Sequence, residues 1–90
     1  MAGSAVRNRS EPVTVETPRG PVEVVRQQWR TQQPRGKWRR EWLARRQGQS
    51  DWRQGTKARE AIRQAALLPA GKHPAWLLEA AARATQELEP

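Results

Sequence analysis

Near the start of the chain, valines alternate with polar residues in two short runs, a pattern that predicts a β-hairpin. Val13 and Val15 flank Thr14, and Val22 and Val24 flank Glu23, so each run puts its valines on one face. Thr17-Pro18-Arg19-Gly20 lies between them, with Pro at the second turn position and Gly at the fourth, as a type I turn prefers. The hairpin should span residues 12–26. Two strands alone are marginal in water, so the valine face needs cover from elsewhere in the chain. Residues 1–11 are small and polar and read as a disordered leader.

Further along, the period lengthens. Ala58, Ile62, Ala65 and Ala66 fall at i, i+4, i+7 and i+8; Leu77, Ala81, Ala84 and Leu88 fall at i, i+4, i+7 and i+11. Ser50-Asp51 or Thr56 offers a cap for the first of these helices, Pro69 closes it, and Pro74 suits the start of the next. An Ala-rich helical hairpin over 51–68 and 74–88 follows.

Residues 37–47 fit two patterns. Trp38 and Trp42 share a face at period two as well as at i, i+4. Pro34-Arg35-Gly36 echoes Pro18-Arg19-Gly20, which would make Lys37–Ala44 a third strand after a second turn. The residue types favour a basic Trp-containing helix over 37–47, because Arg, Glu, Leu, Ala and Gln are good helix formers and no β-branched residue occurs. The expected fold is therefore α+β: a short N-terminal β-hairpin packed on two or three helices. Residues 12–90 would form a single small domain behind a disordered N-terminus.

Composition limits what such a fold can bury. Six Val, six Leu, one Ile and no Phe in 90 residues are a thin aliphatic stock, partly offset by five Trp. Trp38, Trp42 and Trp76 are expected to be core, and Trp29 and Trp52, in polar surroundings, to be exposed. Part of the chain is expected to firm up only on binding. With no Cys and one His, thiol chemistry and a zinc-finger pattern have no basis in one chain. No stretch approaches ~18 apolar residues and no signal-peptide core precedes residue 10, so no membrane association is expected. A cytoplasmic location is expected, on the nucleoid if the source is bacterial.

Charge changes the picture most. Between Arg26 and Arg63 the chain holds twelve Lys/Arg against three acids, interleaved with Trp29, Trp38, Trp42 and Trp52. Residues 1–25 sum to zero and residues 64–90 to −1, so the net +8 arises in the middle. A basic field dotted with flat aromatic surfaces suits a polyanion with stacked bases. The residues expected to contact it are Arg30, Arg35, Lys37, Arg39, Arg40, Arg45, Arg46, Arg53, Lys57, Arg59 and Arg63 for phosphates, with Trp29 and Trp52 for stacking. No catalytic residue, metal site or cofactor is expected. The acids Glu41, Asp51 and Glu60 sit among arginines that would keep them ionised, the reverse of what a general acid needs.

The turn Leu67-Leu68-Pro69-Ala70-Gly71-Lys72 before a second helix resembles helix-hairpin-helix modules, a likeness that would imply a grip on DNA phosphates through backbone N–H groups. That family has a second glycine where this chain has Pro69-Ala70-Gly71-Lys72-His73-Pro74. The functional expectation is a small non-enzymatic nucleic-acid-binding protein that contacts mainly the phosphate backbone. DNA is slightly favoured over RNA, and the protein would be accessory to a larger complex. The alternative is an adaptor or inhibitor whose Arg/Trp segment docks on an acidic protein surface, since Trp and Arg also dominate protein interfaces. The Ala-rich helices could additionally form a dimer seam.

Overall fold

The computed structural model describes residues 5–31 and 36–89, with side chains described over 7–30 and 36–89. A sheet of five antiparallel strands with two helices replaces the expected hairpin on two or three helices. In chain order the elements are β1 (Ala5–Arg9), β2 (Val13–Val15), β3 (Val22–Thr31), β4 (Arg39–Arg46), β5 (Arg53–Gly55), α1 (Ala58–Ala65) and α2 (Ala75–Leu88). β3 is the spine: β1 and β2 share one of its edges, β4 takes the other, and β5 pairs outside β4.

The β2–β3 turn is closed by the Gly20 N–H donating to the Thr17 carbonyl at 2.9 Å, with Gly20 at φ 102. This hairpin is only part of a larger ladder. Residues expected to be a disordered leader supply β1, which joins β2 through a bulge. Arg9 faces Gln27 and Val13 faces Val24, so Ser10, Glu11 and Pro12 oppose only Val25 and Arg26. Ser10 knits the bulge in, donating its N–H to the Arg26 carbonyl and accepting the Arg26 N–H on its hydroxyl, both at 2.9 Å.

The largest correction falls on 37–47. Arg39–Arg46 is strand β4, paired with β3 from Val22↔Arg46 to Trp29↔Arg39. A ten-residue β3 leaves a row of backbone donors and acceptors along its second edge, and another strand can satisfy that row where a helix cannot. Intrinsic propensity is a weak preference beside such pairing. The third-strand pattern in the sequence is the one adopted; the Pro34-Arg35 part of its expected turn lies outside the described residues.

A second correction falls on 51–68. Arg53–Gly55 is β5, and α1 begins only at Ala58. Lys57 occupies the cap position without a side-chain capping bond, so neither Ser50 nor Thr56 serves there. Gly55 marks the turn from sheet to helix. A Cβ at this position would lie 2.8 Å from the Ala61 nitrogen and 2.9 Å from the Glu60 Cβ, so the glycine permits close backbone approach. α1 ends with the Leu67 N–H donating to the Gln64 carbonyl and the Leu68 N–H to the Arg63 carbonyl, both at 3.0 Å. That closure puts Leu67 at φ 61, where glycine is usual.

Helices cover one face of the sheet. Ala58, Ala61, Ile62 and Ala65 of α1 and Leu77, Ala80 and Ala84 of α2 close on Val15, Val22, Val24, Trp42 and Ala44. Small alanines let the helices settle near the backbone, and Trp42, 7% exposed, supplies bulk that the scarce aliphatics do not. Trp76 packs at the margin of this core. Neither helix contacts β1.

Candidate nucleic-acid interface

β1, the second half of β3 and the start of β4 run past the helices as a three-stranded arm. Within residues 5–9, 27–31 and 36–41 lie six cations, Arg7, Arg9, Arg30, Lys37, Arg39 and Arg40, against the single acid Glu41. Strand alternation sorts their side chains between two faces. Arg7, Trp29 and Arg39 form one cross-strand row on the face away from the helices; Arg9, Gln27 and Glu41 form the next. Val25 and Leu43 follow, buried, and then Glu23 and Arg45, with Trp52 beside Arg45.

Each end of this helix-free face carries an Arg on a Trp. The Arg39 guanidinium lies 5.5 Å from the Trp29 ring centroid and that of Arg45 lies 4.2 Å from Trp52. Such contacts contribute roughly 0.5–1 kcal/mol at exposed sites. Arg45 is also 3.5 Å from the Glu23 carboxylate. Both tryptophans are half-buried, leaving ring surface open to solvent.

Between the two stations runs a line of polar side chains. Arg9 donates from Nε and Nη2 to Gln27 Oε1 at 3.0 and 2.7 Å, and Gln27 Nε2 donates to Glu41 Oε1 at 2.5 Å. Gln54 Nε2 donates to Glu41 Oε2 from β5. Four strands are thereby tied side chain to side chain across the open face. Beside Glu41, where β5 ends, a concavity of about 410 Å³ is lined by Trp29, Arg39, Arg40, Glu41, Gln54 and Thr56. A smaller hollow of about 220 Å³ shares Trp29, Glu41 and Gln54 and adds Arg7 and Gln27.

The expected contact residues do not form one cluster. Arg39 and Arg45 share the open face, while Arg40 and Arg46 alternate to the helix side. Arg30 lies 4.8 Å over Trp38 at the end of the arm, and Lys37 is exposed nearby. Trp38, expected in the core with Trp42, is 44% exposed. Arg35 lies outside the described residues. Arg53 pairs opposite Ala44 and so points to the helix side, near Arg63. Lys57 and Arg59 are exposed at the start of α1, and Arg63 is engaged by Glu60 and the Leu68 carbonyl.

Arg7, Arg9, Gln27 and Gln54 had no place in the expected site. Their only signal in the sequence is the two-residue spacing of Arg7 and Arg9, which gains meaning once β3 provides a partner strand. Among the described residues, no three His, Asp or Glu side chains converge on a possible metal position. No described helix is long and apolar enough to cross a membrane. A hollow of about 590 Å³ beside the α1–α2 loop, with Arg19, Lys72, His73 and Trp76 in its wall, is separate from this face. No family model, curated protein or solved structure matches the chain.

Proposed function

We propose that the protein is a small, non-enzymatic nucleic-acid-binding protein that holds its ligand along the helix-free face of the sheet. It would act as an accessory to a DNA or RNA machine. The observation that carries this reading is the placement of Trp29 and Trp52, each with its own arginine, at the two ends of one face that no helix covers. Six residues of β3 separate the two levels, or ~20 Å at about 3.3 Å per residue. That length accommodates several nucleotides of a strand laid across the sheet. Arg7, Arg39 and Arg45 then neutralise phosphates while the tryptophan rings stack on bases. Arg30, Lys37 and Arg40 extend the positive field around the end of the arm and guide approach.

Mobility shifts with single-stranded DNA, RNA and duplex DNA across a salt series test the reading. Binding that fades toward ~0.5 M salt supports it, since phosphate contacts are lost as counterions compete. The absence of any shift at ~50 mM salt overturns it, and capture of a defined acidic protein under those conditions would transfer the Arg/Trp face to protein docking.

A further inference from the structure

A carboxylate in the middle of a face suited to phosphate is a liability unless it meets a donor. Glu41 is such a carboxylate, only 9% exposed yet lining both concavities beside Trp29. Its orientation is set from two sides. The two Arg9 bonds occupy the Gln27 carbonyl oxygen, which turns the Gln27 amide nitrogen toward Glu41 Oε1; Gln54 holds Oε2. Each oxygen has accepted one amide proton and has a further lone pair to offer.

We infer that the Trp29–Glu41 concavity is a base pocket that selects guanine within a single strand, an assignment that rests on the nucleic-acid reading above. Guanine alone among the common bases presents two adjacent donors, N1–H and the N2 amino group, on its pairing edge. Those two donors match the two oxygens of one carboxylate. Adenine and cytosine each place a single amino donor beside a ring-nitrogen acceptor, and thymine or uracil sets one N–H between two carbonyls, so each of these brings a lone pair toward Glu41. Stacking on Trp29 supplies affinity common to all bases, and the carboxylate supplies the difference among them. An unpaired base is required, because duplex pairing consumes the same edge.

Nine-residue oligothymidylates whose central base is replaced by guanine, adenine, cytosine or hypoxanthine, with oligouridylate counterparts, provide the test by fluorescence anisotropy at fixed salt. The guanine oligonucleotide should bind on the order of tenfold tighter than the unsubstituted one, in line with discrimination by a two-point hydrogen bond. Hypoxanthine lacks the N2 amino group and should forfeit most of that gain. Glu41→Gln should flatten the series, bringing the guanine oligonucleotide to within about twofold of the others. Equal affinity for all five oligonucleotides by the unaltered protein overturns the pocket and leaves phosphate binding intact. Failure to bind any of them, or any duplex, overturns the broader reading as well. Should Glu41→Gln fail to fold, the guanine–hypoxanthine comparison on the unaltered protein decides alone.

Discussion

Arg45 and Trp52 meet across the β4–β5 turn with the guanidinium 4.2 Å from the ring centroid, on the face that the helices leave open. If this pair is a stacking station, Trp52→Ala should cost about 1–3 kcal/mol of single-strand affinity, and Trp29→Ala a similar amount at the other end. Folded stability should change far less than affinity. Titration of labelled oligonucleotide alongside urea unfolding separates the two effects, and equal affinity for both variants and the parent would remove stacking from the account.

Trp42 should behave in the opposite way. It is buried between the sheet and α1, so Trp42→Ala should destabilise by roughly 3–5 kcal/mol, enough to unfold a small domain. Trp38→Ala, at the exposed end of the arm, should stay within about 0.5 kcal/mol. Thermal unfolding followed by circular dichroism checks the contrast, and a similar cost at both positions would contradict the placement of Trp38 beyond the helix-covered core.

The alternation of β4 divides the arginines. Replacing Arg39 and Arg45 together by Ala should lower the slope of log affinity against log salt by ~1.4, at about 0.7 per phosphate contact on a single strand. Lys57→Ala with Arg59→Ala removes the same charge from the helix side and should leave the slope close to the parent value. If the second pair reduced the slope as much as the first, the ligand would lie on the α1 side of the sheet.

Two backbone positions carry predictions of opposite sign. Gly55→Ala drives a methyl group into the α1 backbone at Ala61 and should destabilise by about 1–3 kcal/mol. Leu67→Gly relieves a left-handed residue whose side chain is 56% exposed, and should stabilise by up to about 1 kcal/mol. Urea midpoints for the two variants, at unchanged slope, measure both.

How much of this was legible before the structure depends on where each element finds its partners. The Val13/Val15 and Val22/Val24 alternation located two strands because a half-buried strand writes its own period into the sequence. The Ala-rich stripes located the two helices for the same reason, although α1 begins at Ala58, where residue 51 was expected. β4 was misread because Arg39–Arg46 has a helix former's composition, and what makes it a strand is the open edge of β3, a neighbour distant in sequence. β1 was missed because Arg7–Arg9 hold no apolar period at all, their order coming from pairing with Gln27–Trp29. Of the candidate site, Trp29, Trp52, Arg39 and Arg45 were identifiable by type. Their gathering on one face was not, since helical spacing would have set Arg39 and Arg45 among different neighbours. The Gln27–Glu41–Gln54 line was invisible, as amides gain that role only through register.

Because β1 borders β3 alone and meets neither helix, the first strand can peel away while the helices keep the valine core shut. Amide protons of residues 5–9 should then exchange well ahead of those of Val22–Val25. Each such excursion would free the Gln27 amide to rotate and withdraw Arg7 and Arg9 from the open face. A strand of nucleic acid laid there would act as the clasp that β1 otherwise lacks.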